Sequence, residues 1–207
     1  MSAVKIKICG ITNIEIAEFT AGLGVDYIGL VFYAPSKRNV NDLETVKDMV
    51  KRIKAYGSTP VAVFVDQDAA TMQEICEITH INCIQLSGEN ARQQHHLLPT
   101  AMQRIWSIPV NESGKYDLIY SHLNPMRDFL MFEYKLSGTG TAFDHSKFNY
   151  VGDFNYFVAG GLNTSNVAQC IHLTHPFAVD ASSGLENSDG TKDKQLIQQF
   201  IARVKHA

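Results

Sequence analysis

The stretch "NDLETVKDMVKRIKAYGSTPVAVFVDQDAATMQEICEITH" (41–80) decides the fold prediction. Apolar residues recur at helical spacing over 41–57 and again over 68–80, and the run between them, "PVAVFV" (60–65), is apolar at successive positions. A strand that is apolar on consecutive positions is covered on both faces, as in a parallel sheet flanked by helices. The stretch therefore predicts a strand between two helices, which is the repeating unit of α/β folds.

The same alternation runs along the whole chain. Eight strands are predicted, at 4–9, 27–32, 60–65, 83–87, 104–110, 128–133, 156–161 and 177–183. Helices are predicted at 13–24, 41–57, 68–80, 163–173 and 192–207, with weaker candidates at 90–98, 114–123 and 143–149. Eight such units favour a parallel eight-stranded (β/α)8 barrel, a single domain over 1–207. An open doubly wound sheet is the alternative, although no GxGxxG motif follows the first strand.

The composition argues against several functional classes. The 207 residues are 45% hydrophobic and 19% charged, with a net charge of −3 and scattered Lys and Arg, so no nucleic-acid partner is expected. No apolar run approaches the ~20 residues that cross a membrane, and the first residues do not resemble a secretion signal. The four cysteines form no CxxC pair, and no HExxH motif occurs, so no metal is expected. We therefore expect a cytoplasmic protein with free thiols and no membrane partner.

Residues at the carboxyl ends of the strands are the candidate functional groups, because active sites of such barrels lie there. Cys9 ends the first strand, as a reactive thiol or as a small core residue. Arg38 follows the second strand and offers a planar fork for a carboxylate or phosphate, unless it is a solvated surface residue. After the fourth strand, Ser87 or Glu89 is predicted to face the mouth; the alternative for Glu89 is an exposed acid in the first turn of a helix. Glu133 ends the sixth, where partial burial would raise its pKa and suit it to donate a proton; the alternative is a solvated loop acid.

Glycine-rich loops follow the last three strands. Loops after strands seven and eight, with a helix N-terminus, form the usual phosphate site of this fold. We therefore predict a phosphate site, or alternatively two ordinary glycine turns, at Gly160, Gly161, Ser182, Ser183 and Gly184. The loop after strand six either brings its backbone close to a ligand or is a plain turn, and its residues are Gly138, Thr139 and Gly140.

In this order the motifs resemble those of the phosphoribosylanthranilate isomerase family from end to end. The matching segments are "KICGIT" (7–12), "GLVFYAPSKRNV" (29–40), "VAVFVD" (61–66), "IQLSGEN" (84–90), "GTGTAFD" (138–144), "VAGGLNTSNV" (158–167), "VDASSGLE" (179–186) and "DGTKD" (189–193). Any one of these segments alone is a weak signal, whereas the ordered set is highly specific.

The resemblance implies an Amadori rearrangement in tryptophan biosynthesis. The substrate would be N-(5′-phosphoribosyl)anthranilate and the product 1-(o-carboxyphenylamino)-1-deoxyribulose 5-phosphate, with no cofactor and no metal. By position, the family's general base corresponds to Cys9 and its general acid to Glu133. Arg38 would hold the anthranilate carboxylate, and Ser87 and Asp180 would lie near the substrate. The only partner implied is this small molecule, and the chain is expected to be a monomer or a homodimer.

The sequence departs from the family pattern at three positions. Glu133 stands where the family has Asp, Ser87 replaces the histidine of "QLHG", and Ser137 replaces the first glycine of "GGTG". One alternative is therefore a barrel that binds a phosphorylated ligand without turnover. Another is an isomerase of a related aminated phospho-sugar of the histidine pathway, although that family usually has an acid at the position of Cys9.

Overall fold

The chain forms a closed barrel of eight parallel strands, so the predicted (β/α)8 architecture is confirmed. The computed structural model describes residues 3–118, 122–134 and 147–207. The strands are β1 (Lys5–Cys9), β2 (Tyr27–Phe32), β3 (Thr59–Phe64), β4 (Cys83–Leu86), β5 (Gln103–Val110), β6 (Phe129–Tyr134), β7 (Tyr156–Ala159) and β8 (Ala178–Ala181). Each strand pairs with the next in sequence, and β8 pairs with β1 to close the ring.

Helices cover the outside of the barrel. They are α1 (Ile14–Gly22), α2 (Leu43–Ala55), α3 (Ala69–Thr79), α4 (Glu89–Gln94), α5 (Val167–Thr174) and α6 (Lys194–Lys205). Short 3-10 helices lie at His95–Leu97 and Ser183–Leu185.

Side-chain caps explain where two of the helices begin. Asn13 accepts a hydrogen bond from the Ile16 amide at 2.9 Å, and α1 starts at the next residue. Asp68 accepts a hydrogen bond from the Thr71 amide at 2.8 Å, and α3 starts at the residue after Asp68. These bonds satisfy amides that have no partner inside a helix. The predicted starts of both helices follow from this chemistry.

Two apolar layers surround the strands. The outer layer lies between strands and helices and includes Ile8, Leu30 and Phe64. The inner layer fills the barrel with Cys9, Val31, Val63, Met131 and Phe157, among others. Successive residues of a strand point to opposite faces, so Ile8 packs outward and Cys9 inward. The residues that face the barrel interior are thus fixed by strand periodicity.

The weak helix prediction at 114–123 is wrong for the residues that the structure describes there. Asn111 accepts hydrogen bonds from the amides of Ser113 and Lys115 at 2.9 and 3.0 Å, and Gly114 has a φ of +76°. A side chain that binds amides two and four residues ahead stabilises a turn in place of a helix. The candidate at 143–149 lies largely outside the described residues.

The helix predicted at 163–173 begins later than expected. Asn163 accepts a hydrogen bond from the Ser165 amide at 2.8 Å, which forms a turn ahead of α5. The helix itself starts at Val167. The extra turn lengthens the loop after β7, which is one of the two loops predicted to bind phosphate.

Candidate active site

A cavity of about 720 Å³ opens at the carboxyl end of the barrel. The sequence-predicted residues that line it are Cys9, Arg38, Ser87, Glu133, Gly160, Gly161, Asp180, Ser182 and Ser183. They come from six different strands or the loops that follow them. The structure therefore brings together residues that lie far apart in the sequence. The predicted loop residues Gly138, Thr139 and Gly140 lie outside the described part of the chain.

Cys9 is the last residue of β1, and its side chain faces the interior. It is only 7% exposed. Gly29, its register partner on β2, makes room for the thiol, because a Cβ at position 29 would lie 2.7 Å from the Cys9 sulfur. Burial raises the pKa of the Cys9 thiol, and the positive charges of Lys7 and Lys192 act in the opposite direction. Sequence reasoning did not single out Gly29.

Lys7 and Asp180 form an ion pair inside the barrel. The Lys7 ammonium donates to Asp180 Oδ1 at 2.8 Å, and Lys7 is fully buried. The two residues are direct register partners on β1 and β8. Burial opposes the charge of Lys7, but the carboxylate of Asp180 and the nearby Cys9 raise its pKa above the ordinary value. Lys7 was not among the predicted site residues, although it lies two residues before Cys9 and on the same, inward-facing side of β1.

Glu133 is the penultimate residue of β6. It is half-buried and lines the cavity, and it pairs in register with Pro109 of β5 and Ala159 of β7. Like Met131 two residues earlier, it lies on the inward-facing side of the strand. Its charge acts on the nearby guanidinium of Arg92. The position at a strand end beside the cavity agrees with the sequence prediction.

A polar cluster occupies the β4–β5 side of the cavity. The Gln85 amide donates to the Ser87 hydroxyl at 2.9 Å, and the hydroxyls of Ser87 and Ser107 lie 3.4 Å apart. Arg92 of α4 donates to the carbonyls of Ser87 and Ser107 at 3.0 and 3.2 Å. The hydroxyl of Ser87 thus lies at the cavity with partners on β4 and β5. Glu89, the other candidate here, is exposed and lines a separate, more open cavity of about 1310 Å³.

Arg38 binds a carboxylate of the protein itself. Its guanidinium makes a two-point ion pair with Glu186, with Nε–Oε1 and Nη2–Oε2 distances of 2.5 and 2.8 Å. The buried Lys192 donates to the same Glu186 Oε1 at 2.7 Å, and Lys37 lies 3.3 Å from Oε2. Burial disfavours ionisation of Glu186, but the bonds and charges of Arg38 and Lys192 outweigh it and lower its pKa to about 2. The planar fork is present as predicted, and Glu186 and Lys192 are site residues to which sequence reasoning gave no role.

The loops after β7 and β8 lie against each other beside Cys9. Gly160 has a φ of +100°, and a Cβ there would lie 2.3 Å from the carbonyl oxygen of Tyr134. Gly184 contacts the other loop, because its Cβ would lie 2.1 Å from the carbonyl oxygen of Leu162. The structure therefore brings the predicted phosphate residues together at one end of the cavity, with Gly184 packed behind its lining.

Hydrogen bonds fix Ser182 between β1 and the loop after β8. The hydroxyl of Ser182 donates to the carbonyl of Cys9 at 3.0 Å. The ammonium of Lys192 donates to the carbonyl of Ser182 at 2.9 Å. These bonds tie the first and last strands of the barrel together at the cavity. They connect the candidate base directly to the candidate phosphate loop.

Over residues 3–118, 122–134 and 147–207, no three His, Cys, Asp or Glu side chains converge as a metal site would need. In the same part of the chain, none of the helices combines the length and apolar character needed to cross a membrane.

Comparisons with known proteins agree on one family. Residues 6–203 match the family model described as N-(5′-phosphoribosyl)anthranilate (PRA) isomerase. The N-(5′-phosphoribosyl)anthranilate isomerase of Streptococcus pneumoniae (strain Taiwan19F-14) is 37% identical over 203 residues, which cover 98% of this chain and 96% of that protein. The crystal structure of the Thermotoga maritima phosphoribosyl anthranilate isomerase is similar with a TM-score of 0.79 and 28% identity, over 99% of this chain and all of that one.

A related structure contains a bound small molecule. It is a phosphoribosyl anthranilate isomerase in complex with reduced 1-(o-carboxyphenylamino)-1-deoxyribulose 5-phosphate. Its TM-score to this chain is 0.76 at 27% identity, with 99% of this chain and all of that one covered.

Proposed function

Because this chain belongs to the N-(5′-phosphoribosyl)anthranilate isomerase family, we propose that it isomerises N-(5′-phosphoribosyl)anthranilate in tryptophan biosynthesis. The product is 1-(o-carboxyphenylamino)-1-deoxyribulose 5-phosphate, formed by an Amadori rearrangement. The observation that carries the proposal is the single cavity lined by Cys9, Glu133, Arg38 and the two glycine loops. It supplies a thiol, a carboxyl group, a carboxylate-binding fork and backbone-rich loops in one place.

In the proposed mechanism, Glu133 is the general acid and Cys9 the general base. Glu133 protonates the furanose ring oxygen, and the sugar opens to an iminium ion. Cys9 then removes the C2′ proton, which gives an enolamine that becomes the ketone. The two side chains lie on β6 and β1 and both line the cavity. The substrate fits between them if its ring lies across the barrel mouth.

The remaining groups orient the substrate. The fork of Arg38 binds the anthranilate carboxylate, which requires it to exchange or share its present partner Glu186. The loops that contain Gly160, Gly161 and Ser183 hold the phosphate through backbone amides. Asp180 and Ser87 face the substrate from β8 and the end of β4. This assignment uses no cofactor and no metal, and we propose a cytoplasmic location.

Turnover of freshly made N-(5′-phosphoribosyl)anthranilate by the purified chain tests the proposal. We expect product formation by the wild type and its near loss in Cys9→Ser and Glu133→Gln. Cys76→Ala, at a buried thiol of α3, and Glu74→Gln, at an exposed carboxyl group, are the matched controls and should retain activity.

The outcomes separate the alternatives. Wild-type rates in both Cys9→Ser and Glu133→Gln would show that the roles are assigned wrongly. Binding of the reduced product analogue without any turnover would favour a ligand-binding barrel. Turnover of the histidine-pathway aminated phospho-sugar alone would favour the other isomerase activity.

A further inference from the structure

Lys7 is a charged residue in the middle of a barrel strand. Its side chain has no exposure to solvent, whereas Lys5, two residues earlier, is exposed and pairs with Asp26. Lys7 and Cys9 are two residues apart on β1 and therefore project from the same face of the strand. The cation thus lies directly beneath the thiol on the inside of the barrel.

A buried cation is costly unless it is paired, and Lys7 has two groups beside it. Its ammonium donates to Asp180 Oδ1 at 2.8 Å. Its positive charge also favours the thiolate of Cys9. An apolar pair of similar volume would often be at least as stable as a buried ion pair. Stability alone therefore does not account for the Lys7–Asp180 ion pair inside the barrel.

Several charges act on Cys9, and Lys7 is the largest favourable one. Burial disfavours the thiolate most strongly, Lys7 favours it next, and Asp180 opposes it. Lys192 adds a smaller favourable effect. Among the residues that the structure describes, the charged and titratable groups near Cys9 or lining its cavity include Lys7 on its own strand, Asp180 on β8, Lys192 after β8, Arg38 and Tyr33 after β2, and Glu133 and Tyr134 on β6.

We propose that Lys7 is a positioning residue for Cys9: its ammonium, held in place by Asp180, stabilises the thiolate and makes the thiol usable as a base. The consequence of Lys7 for turnover rests on the proposed function. The effect of Lys7 on ionisation of Cys9 does not, because the Lys7–Asp180 pair is formed by the protein alone. Asp180 then has two opposite effects, since it anchors the cation and also repels the thiolate.

The test is the pH dependence of Cys9 alkylation by iodoacetamide in the ligand-free protein, followed by mass spectrometry of the Cys9 peptide. Only the thiolate reacts, so the midpoint of the rate reports ionisation of Cys9. We expect Lys7→Met to move the midpoint to higher pH and to slow alkylation at neutral pH about tenfold, which corresponds to a shift of one pKa unit. Asp180→Asn should move the midpoint to lower pH, because the amide oxygen of Asn still accepts from Lys7 while the negative charge beside the thiol is removed. Lys5→Met, on the same strand, should leave it unchanged.

Lys7→Met and Asp180→Asn should shift the alkylation midpoint in opposite directions. This result would indicate an electrostatic role, because loss of structure would shift the midpoint of both variants in the same direction. An unchanged midpoint in folded Lys7→Met, or shifts of the same sign, would overturn the proposal. If Lys7→Met does not fold, Lys7→Met/Asp180→Asn removes both charges together. The double variant should have a higher midpoint than Asp180→Asn alone, because only the Lys7 charge differs between them; a midpoint equal to or below that of Asp180→Asn would refute the proposal.

The same variants separate this proposal from the isomerase proposal. A shifted midpoint without any wild-type turnover of N-(5′-phosphoribosyl)anthranilate would keep the role of Lys7 and reject the activity. Turnover by the wild type, together with an unshifted midpoint in Lys7→Met, would keep the isomerase activity and reject the role of Lys7.

Discussion

Glu186 and Arg38 are joined at the carboxyl end of the barrel by two hydrogen bonds, of 2.5 and 2.8 Å. The pair joins the loop after β2 to the loop after β8. Glu186 is almost fully buried, and its second cation, Lys192, is buried as well. A carboxylate in this position holds the fork of Arg38 in a fixed orientation.

Replacing Glu186 by Gln should destabilise the protein in a pH-dependent way. The pKa of Glu186 in the folded chain is about 2, below its ordinary value of 4.5, so its stabilising contribution is present above pH 4.5. It is lost as the pH falls from 4.5 towards 2. The difference in free energy of unfolding between wild type and Glu186→Gln should shrink over that range, as measured by urea denaturation.

Glu74→Gln, at an exposed site on α3, is the control for Glu186→Gln and should show no comparable trend. A Glu186 difference that stays constant across the acidic range would mean that the ion pair does not control the pH dependence.

Gly29→Ala should impair the active site more than the fold. A Cβ at position 29 would lie 2.7 Å from the Cys9 sulfur and 3.1 Å from Cys9 Cα, so the thiol has to move. A misplacement of about 1 Å can lower a rate on the order of 10²-fold. We expect a loss of that order in turnover of N-(5′-phosphoribosyl)anthranilate, measured alongside thermal unfolding.

Gly22→Ala is the matched control for Gly29→Ala. A Cβ at Gly22, at the end of α1, would make only an ordinary contact of 3.7 Å with Tyr56. Unchanged turnover in Gly29→Ala would show that the sulfur position is not restricted by this glycine.

His95 should make stability fall at mildly acidic pH. Its ring is buried against Trp106, with centroids 4.8 Å apart. Burial and then the charge of Arg104 lower its pKa from 6.5 to about 4. The unfolded chain therefore binds a proton between pH 6.5 and 4 that the folded chain does not, so stability declines as the pH falls through that range.

The variant His95→Phe keeps an aromatic ring and removes the titration. Its stability should vary less between pH 6.5 and 4 than that of the wild type, by thermal unfolding. His172→Gln, at an exposed position, should follow the wild-type curve. Identical slopes for His95→Phe and wild type would contradict the prediction.

Asp128→Asn should destabilise the start of β6 by about 1–3 kcal/mol. Asp128 is fully buried and accepts hydrogen bonds from the amides of Arg104 and Asn124 at 3.0 and 2.8 Å. It also pairs with Arg127 at 2.7 Å. An Asn side chain replaces one acceptor by a donor that faces another donor. Urea denaturation against Asp153→Asn, at an exposed site, measures the effect, and equal stabilities would refute it.

The sequence was sufficient for the barrel because strand periodicity is local. Runs such as 60–65 and the caps Asn13 and Asp68 specify their own elements. The candidate site followed, since Cys9 and Glu133 end strands and the fold sends strand ends to one mouth. The helix predicted at 114–123 failed because Asn111 and Gly114 form a turn.

The missed residues are those whose partners are distant in sequence. Lys7 alternates with apolar residues and has the pattern of a solvent-facing lysine, and its partner Asp180 is 173 residues away. Glu186 binds Arg38 across 148 residues. The need for Gly29 depends on the register between β1 and β2. These contacts form only when the barrel closes and its strands take their register, so a local sequence pattern cannot predict them.

The pairing of β1 with β8 also has a consequence for biosynthesis. A ribosome makes Cys9 173 residues before Ser182, and Asp180 and Lys192 lie close to Ser182 in the sequence. Until β8 has been made, β1 has an unpaired edge, and Lys7 lacks its counter-charge. The nascent chain must therefore carry an open strand edge, and a thiol without its final neighbours, until β8 and the residues after it have been made.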